Sequence, residues 1–415
     1  MSQIAEICRA AKEASYVLAV FSREQKDKAL LACAAALCEE KAKILKANQQ
    51  DVTAAEQAGM SAGLVDRLRL DAGRIEDMAA GMRAVAGLPD PVGRVLDERV
   101  LENGLKLTKR AVPIGVCGII YEARPNVTSD AFALCLKSGN ACVLKGGSAA
   151  LLSNEAIVHA LWQGLAAAGV PREALGFIDE AGHEGTAELV RMHDTVDVLI
   201  PRGGSALIRY CVEHASIPVL ETGTGNCHIF VDESADLEQA VKIILNAKTQ
   251  RVGVCNACES LLIHKNCLAK AVPMIAKALT EKGVTIYGDA DCRALFQPME
   301  VATEADWGTE YLDYKISMKA VGSVEEAIRH INHYGTKHSE SILTENQENA
   351  ARFLREVDAA CVYVNASTRF TDGGQFGFGC EIGISTGRLH ARGPMGLAEL
   401  TTYKYEIVGN GQVRA

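Results

Sequence analysis

The sequence predicts an α/β protein built from two parallel-sheet domains, to which a β-ribbon is attached. Between residues 111 and 228, short apolar strands alternate with amphipathic helices, and such alternation specifies a parallel sheet covered by helices on both faces. The same alternation begins again after about residue 230. The segment 95–108 instead alternates apolar and charged residues around Asn103-Gly104, a hairpin turn signal, and therefore predicts a two-stranded ribbon.

The composition is that of a folded globular protein. Hydrophobic residues make up 48% of the 415 residues and charged residues 23%, so disorder is excluded as the main state. At roughly 100–200 residues per domain, this length predicts two or three domains. The net charge of -9 argues against general binding to nucleic acid or to anionic membranes, because such binding needs a surplus of basic residues.

The N-terminus and the cysteines predict the compartment. No apolar run approaches the ~20 residues needed to cross a bilayer, and the first residues lack the layout of an export signal. The 14 cysteines are scattered without a spacing rule, which is typical of reduced, mostly buried thiols rather than of a disulfide scaffold. We therefore expect a cytoplasmic protein.

The first part of the chain is predicted to be a helical layer followed by a sheet. Apolar residues recur at three- and four-residue steps over 2–88, and Pro is absent before Pro89, so this stretch is expected to be helical. The strands of the first sheet are expected at 112–120, 141–148, 175–179, 195–205 and 218–226, two of them ending in glycine turns.

The second sheet is expected to begin after about residue 230. Its strands are predicted at 258–265, 284–288, 318–321, 339–344 and 360–365, separated by helices. The tail 366–415 is rich in Gly, and its alternation from Thr401 to Val408 predicts an edge strand.

These patterns give domain boundaries. Residues 1–228 are predicted to form the first domain, interrupted by the ribbon 95–108 and completed by about 365–392. The second domain is predicted over 229–364, followed by a separate tail over 393–415. A cleft is expected between the two domains.

Two strand-to-helix turns share the sequence Gly-Gly-Ser, at 146–148 and 203–205. Backbone N–H groups at such a turn, next to the positive end of a helix, bind phosphate in many folds. An ordinary tight turn explains the glycines equally well, and no G-x-G-x-x-G fingerprint follows a strand. Lys145, at the end of its strand, favours the phosphate interpretation because a cation there can meet a ribose or a phosphate.

Cys255 is the cysteine best placed for chemistry. It lies in a short loop between a helix and a strand, beside Gly253 and Asn256, where a nucleophile can reach a cleft. Cys258 completes a C-x-x-C pair, but without a second pair or matching His spacing a zinc site is not expected.

Three histidines occur within nine residues, at His330, His333 and His338. They lack carboxylates at ligand spacing, so a metal site is not predicted. A structural role and a catalytic role both stay open for them.

Seven segments occur along the chain in a characteristic order: PIGVCGIIYEARPN, LKGGS, LIPRGG, LETGTGN, RVGVCNACES, TEYLDYK and GPMGL. In this order they resemble the aldehyde dehydrogenase superfamily, and the resemblance runs essentially the whole length of the chain. Within that superfamily, VGSVEEAIRHINHYGTKHSESI at 321–342 resembles the signature segment of the γ-glutamyl phosphate reductases. The implied fold has a cofactor-binding domain (the first), a catalytic domain with a nucleophilic Cys (the second) and an oligomerisation element made of the ribbon and the tail.

The resemblance implies a role for single residues. Cys255 corresponds to the catalytic thiol that forms a thioester, and Asn126 to the side chain that joins the Cys255 backbone N–H in an oxyanion hole. Lys145 corresponds to the lysine on the cofactor ribose, and Glu310 to the glutamate that holds the nicotinamide ribose. The implied cofactor-binding residues are Lys145, Gly146, Gly147, Ser148, Arg202, Gly203, Gly204, Ser205 and Glu310.

Two residues keep an open role. Glu221 falls where hydrolytic members place the glutamate that activates water, but the ELGG of those members is ETGTG here. The role of His338 is also open.

The resemblance implies NADPH-dependent reduction of L-glutamyl 5-phosphate to L-glutamate 5-semialdehyde and phosphate, the second step of proline biosynthesis from glutamate. No metal is implied. Two alternatives stay open: a thiol acyltransferase or hydrolase, which needs no nicotinamide site, and a non-catalytic interaction protein that has kept the fold.

NADPH is expected over NADH. In many NAD-using members a glutamate stands three residues after the ribose lysine, and here that position is Ser148. Lys145 and Ser148 can hold a 2′-phosphate through charge-assisted hydrogen bonds. The alternative is that Ser148 only caps the following helix.

The expected partners are a small-molecule substrate and further copies of the same chain. The ribbon 95–108 and the tail 401–408 both have exposed edges, so we expect them to pair across subunits in a homodimer or a dimer of dimers. Association with glutamate 5-kinase stays open.

Overall fold

A computed structural model describes residues 2–414, which form two compact units. Unit 1 comprises Met1–Glu221, Gly377–Gly383 and Met395–Ala415, and unit 2 comprises Thr222–Phe376 and Ile384–Pro394. The change of unit at 221/222 lies near the predicted boundary at 228/229. The segment 365–392, predicted to complete the first domain, is divided between the two units.

The helices follow one another through both units. They are α1 (Gln3–Leu18), α2 (Arg23–Glu39), α3 (Lys41–Gln57), α4 (Ala62–Leu68), α5 (Ala72–Gly87), α6 (Asn126–Lys137), α7 (Leu151–Ala168), α8 (Glu184–Leu189), α9 (Ser205–His214), α10 (Leu237–Thr249), α11 (Leu268–Glu281), α12 (Ala290–Leu295), α13 (Val324–Tyr334) and α14 (Gln347–Glu356).

The strands alternate with these helices from residue 116 onwards. They are β1 (Val95–Val100), β2 (Lys106–Pro113), β3 (Val116–Tyr121), β4 (Ala141–Lys145), β5 (Leu175–Phe177), β6 (Val198–Arg202), β7 (Cys227–Val231), β8 (Cys258–His264), β9 (Thr285–Gly288), β10 (Glu300–Val301), β11 (Lys315–Val321), β12 (Ser339–Leu343), β13 (Cys361–Val364), β14 (Ile384–Ser385), β15 (Gly393–Pro394) and β16 (Thr401–Val408).

Two parallel sheets confirm the predicted fold class. In unit 1 the strand order is β5-β4-β3-β6, and in unit 2 it is β10-β9-β11-β8-β7-β12-β13. Every residue of the central strands β3, β4, β7 and β8 is buried, as expected for strands covered by helices on both faces. The carboxyl ends of β3, β4 and β6 meet at one edge, which places the segments that follow them side by side.

The predicted helical layer over 2–88 is confirmed by α1–α5. Helix α2 begins at a capping box, in which the Ser22 hydroxyl accepts from the Gln25 N–H and the Gln25 side chain accepts from the Ser22 N–H. Its buried residues recur with helical spacing and include Leu30, Cys33 and Leu37. This apolar face, rather than helix propensity alone, stabilises the layer.

The predicted strand 112–120 is wrong as one element. Strand β2 ends at Pro113 and β3 begins at Val116, because Gly115 between them has a φ of 132°. A Cβ at Gly115 would lie 2.2 Å from Oδ2 of Asp197, whose carboxylate accepts from the Val116 N–H. The chain therefore turns there from the ribbon into the sheet.

The predicted strand 218–226 is also wrong. This stretch makes only isolated bridges, between Val219 and Leu199 and between Thr222 and Ser385. The strand that follows, β7, lies outside the predicted elements. Pro and repeated Gly suit a strand interior poorly, whereas CHIFV fills a fully buried central strand.

The ribbon is confirmed, and its relation to the tail is corrected. Strands β1 and β2 pair antiparallel around Gly104, whose φ is 83°. Strand β16 pairs antiparallel with β2 of the same chain along its whole length, from Thr401 opposite Pro113 to Val408 opposite Lys106. The expectation that the tail pairs with a ribbon across subunits is therefore wrong for β2, and the outer edges of this sheet lie on β1 and β16.

Within residues 2–414, we find no helix that is both long and apolar enough to span a membrane.

Candidate active site

The first predicted cofactor turn lies in unit 1, at the end of β4. Lys145 is buried, and its Nζ donates to the carbonyl of Gly146 at 3.1 Å. Burial lowers the pKa of Lys145, and the carboxylate of Glu180, in the loop after β5, opposes this effect. A buried cation at the carboxyl end of a parallel strand can bind a hydroxyl or an anionic oxygen.

Ser148 is exposed at this turn and does not cap the following helix. The short 3₁₀ turn Ser148–Ala150 has Gly147 as its N-cap, α7 has Ala150, and neither end has a side-chain cap bond. The alternative that Ser148 serves only as a helix cap is therefore wrong.

The second predicted turn follows β6 and leads into α9. Its N-cap is Gly204, whose N–H donates to Oε2 of Glu122 at 3.1 Å. A Cβ at Gly203 would lie 2.7 Å from the carboxyl carbon of Glu122, and one at Gly147 would lie 3.3 Å from its Cα. The two glycine turns thus meet around Glu122, and a carboxylate oxygen already lies on the Gly204 amide.

The predicted oxyanion donor, Asn126, is the first residue of α6. Its Nδ2 donates to Oδ2 of Asp130 at 2.9 Å, one helical turn further on. Burial raises the pKa of Asp130 to about 6, against the hydrogen bonds from Asn126 and Ser129 that lower it. Asp130 therefore fixes the orientation of the Asn126 amide.

The predicted nucleophile, Cys255, lies in unit 2 in the loop between α10 and β8. Its side chain is partly exposed, whereas Cys258, the first residue of β8, is fully buried and burial raises the pKa of its thiol far above the usual range. Of this C-x-x-C pair, only Cys255 can meet a substrate.

The backbone of Cys255 is enclosed by neighbouring segments. Gly225 approaches so closely that a Cβ there would lie 1.4 Å from the Cys255 carbonyl oxygen, a contact that only glycine permits. The Cys227 thiol donates to the same oxygen at 3.2 Å. The Cys255 carbonyl is thus held in place from two sides.

The loop is also held by the turn 368–371. The Arg369 guanidinium donates to the side chains of Gln250 and Asn256, at 2.7 Å from Gln250. The Thr368 hydroxyl donates to the Asn256 carbonyl at 2.7 Å, and the Asn256 amide donates to the Thr371 carbonyl at 2.8 Å. These contacts fix the residue next to the thiol.

Glu310, predicted to hold the nicotinamide ribose, joins the thiol loop through Gly225. Its Oε1 accepts from the Gly225 N–H at 2.6 Å, and burial raises the pKa of its carboxyl. Since Gly225 also packs on Cys255, unit 2 brings these two predicted site residues together through one shared neighbour.

The residues with an open role differ in their surroundings. Glu221 is exposed, at the last position of the first stretch of unit 1. His338 is fully buried, with Nδ1 2.8 Å from the Ser339 hydroxyl and 3.7 Å from the Cys227 thiol, and burial lowers its pKa to about 4. His330 packs against Tyr334 with the two rings tilted by 45° and lies edge-on to Trp307, and burial lowers its pKa to about 3. Both imidazoles are therefore neutral near pH 7.

Among residues 2–414, no group of three or more His, Cys, Asp or Glu side chains is arranged to hold a metal ion.

Sequence reasoning missed several residues that shape the site. Asp130 was missed because the sequence predicts a loop over 121–130, whereas α6 begins at Asn126 and places Asp130 one helical turn later. Glu122 had a usable signal, because it directly follows a strand of the parallel sheet. Arg369 had none, since its contacts with the thiol loop join segments more than a hundred residues apart.

Comparison with known proteins places this site in a family. The aldehyde dehydrogenase family model matches residues 1–306. The γ-glutamyl phosphate reductase of Moorella thermoacetica is 55% identical over 404 residues, 97% of either chain, and that of Alkaliphilus oremlandii is 53% identical over 414 residues, 100% of either chain. The crystal structure of the γ-glutamyl phosphate reductase of Thermotoga maritima superposes with a TM-score of 0.98, at 50% identity and full coverage of both chains. The chain therefore belongs to the aldehyde dehydrogenase family and, within it, to the γ-glutamyl phosphate reductases.

Proposed function

We propose that this protein reduces L-glutamyl 5-phosphate to L-glutamate 5-semialdehyde and phosphate with NADPH, the second step of proline biosynthesis from glutamate. The observation that carries the proposal is the Cys255 loop: a partly exposed thiol whose backbone is fixed by Gly225 and Cys227, in a chain 55% identical to a γ-glutamyl phosphate reductase.

The first step belongs to Cys255. Its thiolate attacks the acyl carbon of the substrate, a C–S bond forms, and the C–O bond to phosphate breaks with its electron pair leaving on phosphate. The product is a thioester, which accepts a hydride better than an oxygen ester does and later releases the aldehyde with return of the thiolate. No additional oxidant or water is needed for this balance.

A nicotinamide dinucleotide is used by the aldehyde dehydrogenase family. When bound, it supplies the hydride that reduces the thioester carbon. The residues of this chain fit such a group, because the Gly204 N–H already donates to an anionic oxygen, that of Glu122. We propose that Lys145, Gly146, Gly147 and Ser148 hold the adenosine ribose side, Arg202, Gly203, Gly204 and Ser205 the pyrophosphate, and Glu310 the nicotinamide ribose.

The developing negative charge needs hydrogen-bond donors. We propose the Asn126 amide and the Cys255 backbone N–H for this role, each worth on the order of 3 kcal/mol of transition-state stabilisation. The hydrogen bond from Asn126 to Asp130 supports this role. It uses one N–H of the Asn126 amide and leaves the other N–H to donate to the negatively charged oxygen.

NADPH rather than NADH is proposed on the chemistry of the β4 turn. Ser148 is exposed and is not used as a helix cap, and Lys145 supplies a cation next to it. Glu180 weakens the preference for NADPH, because its carboxylate interacts with Lys145 and would repel the 2′-phosphate.

The assembly and the compartment are also proposals. The outer edges of β1 and β16 support a homodimer or a dimer of dimers, because exposed edges of this kind are normally covered. The 14 cysteines, none of them in a disulfide within residues 2–414, support a reducing compartment such as the cytoplasm. We also propose association with glutamate 5-kinase, because an acyl phosphate is labile.

An absorbance assay at the dihydronicotinamide band tests the function. We expect oxidation of NADPH with L-glutamyl 5-phosphate, and reduction of NADP⁺ with the semialdehyde and phosphate together but not with either one alone. A thiol acyltransferase or hydrolase would consume the acyl phosphate without a change in absorbance, and a non-catalytic protein would do neither.

A further inference from the structure

A fully buried ion pair lies beside the thiol loop of unit 2. Nζ of Lys248 is 2.5 Å from Oε2 of Glu259, and both side chains are 0% exposed. The pair is not part of the catalytic roles described above.

The pair joins the two ends of the thiol loop. Lys248 is the next-to-last residue of α10, and Glu259 is the second residue of β8. The loop 250–257, which carries Cys255, begins just after one partner and ends just before the other. Any change in the distance between α10 and β8 at this point would therefore move the thiol.

The second oxygen of Glu259 reaches the segment that carries Glu310. Oε1 accepts from the Leu312 N–H at 3.1 Å, and Leu312 has a φ of 51°, which favours glycine and is costly for a leucine. Glu259 therefore helps to hold this strained residue two positions after Glu310.

These contacts, together with the chain between them, join Cys255, Glu310 and Glu259 into one closed network. Glu310 accepts from the Gly225 N–H, and Gly225 packs on the Cys255 carbonyl. From Cys255 the chain leads through β8 back to Glu259, whose two oxygens reach α10 and Leu312. One carboxylate thus links the nucleophile and the cofactor-side glutamate.

Stability alone does not explain the pair. Two buried charges are costly to remove from water, and well-packed apolar residues of similar volume are often as stabilising. Burial raises the pKa of Glu259, with Lys248 opposing this rise and Glu310 adding to it. The other titratable groups that interact with Glu259 are Tyr311, Cys227 and Cys258.

We propose that Lys248 and Glu259 are positioning residues for the reaction, which set the Cys255 thiol and the Glu310 carboxylate in their working arrangement. This inference rests on the proposed function and deepens it. Both side chains are fully buried, so they act through the loop 250–257 and through Leu312.

The test compares the native protein with the double variant Lys248→Met/Glu259→Gln, which keeps the shape of the pair without a buried charge. We expect the double variant to fold, with kcat lowered by about 10- to 100-fold because a small misplacement of the nucleophile costs this much. We expect KM for the acyl phosphate to change much less. The pH profile of Cys255 alkylation by iodoacetamide, followed by mass spectrometry of its peptide, should differ between the two proteins, because the double variant lacks the Glu259 carboxyl group, whose pKa is raised by burial.

The control is Lys26→Met, which removes another buried lysine from an ion pair, with Asp90 in unit 1. It should lower the melting temperature without changing kcat or the alkylation profile. Glu259→Asp, which keeps both charges, should shift the same readouts to a smaller extent and is the test if the double variant does not fold.

An unchanged kcat and alkylation profile in a folded variant would overturn the proposal, as would equal losses in Lys26→Met. If the native protein lacked NADPH-dependent turnover, the proposed function would fail instead, and the alkylation profile would still decide whether the pair positions Cys255.

Discussion

At the scale of single residues, the structure separates the two cysteines of the C-x-x-C pair. Cys255 is partly exposed on its loop, whereas Cys258 is buried in β8. We predict that Cys255→Ala abolishes turnover but leaves cofactor binding, because in the proposed reaction this thiol forms the bond to the substrate. Cys258→Ala should keep most activity. Steady-state assays and cofactor titration check both, and a Cys258→Ala variant as inactive as Cys255→Ala would restore a dithiol interpretation.

We propose that single residues also determine the choice between NADPH and NADH. We predict that the native enzyme prefers NADPH and that Ser148→Glu narrows or reverses this preference, because a carboxylate there would repel the 2′-phosphate. Glu180→Gln should strengthen the preference for NADPH, since it removes a carboxylate that interacts with Lys145. The measurement is kcat/KM for NADPH and NADH, together with the Kd of each. A native preference for NADH, or an unchanged ratio in Ser148→Glu, would show that this turn does not read the 2′ position.

We expect the buried carboxyl group of Asp130 to make the stability of the folded protein depend on pH. Burial raises its pKa from 3.8 to about 6, so the folded protein holds the proton more tightly than the unfolded chain does. As pH rises from about 4 to about 6, the native protein should therefore lose stability that Asp130→Asn does not lose. The melting temperature of Asp130→Asn relative to the native protein should increase across this window. A difference that is constant with pH would show that Asp130 does not titrate there.

At the scale of elements, regular patterns were predictable from the sequence and tertiary constraints were not. The helices of 2–88, the ribbon and most of the buried strands are predicted correctly, because periodicity and turn signals are local, whereas β7 is missed. Gly115 ends a strand because of Asp197, which lies 82 residues away, and Gly225 is required by the Cys255 carbonyl. Because these contacts are made with distant residues, the nearby sequence does not show that the stretch 218–226 is a loop or that β7 begins at Cys227.

The candidate site shows the same division. The residues that the sequence identified by motif, among them Cys255, Lys145 and Glu310, lie in loops or at strand ends, where a short pattern is informative. Their supports come from other parts of the chain: Arg369 from beyond β13, and Glu122 from the end of β3. A motif identifies the reacting group, but the contacts that orient it depend on how distant segments fold together.

At the scale of the whole molecule, we propose that the tail strand β16 mediates assembly. Strand β16 covers β2 of its own chain and is joined to it by the Arg110–Glu406 ion pair, so the outer edge of β16, like that of β1, can pair with a second copy. Tyr405 and Ile407 are exposed on this strand, at 50% and 59%. Exposed apolar edges of this kind favour pairing with another chain.

We predict that Tyr405→Lys/Ile407→Lys gives a monomer by light scattering, while the native protein is a dimer or a dimer of dimers. Lysine on an edge strand opposes pairing because it places a charge where the partner's strand would lie. A chain ending at Leu400 should also be monomeric. It keeps Met395 and Leu400, which are buried and would be lost if the chain ended before residue 395. Met274, an exposed residue on α11 of unit 2, provides the control: Met274→Lys should leave the assembly unchanged. An oligomer that persists in both tail variants would show that the subunits associate through a different surface.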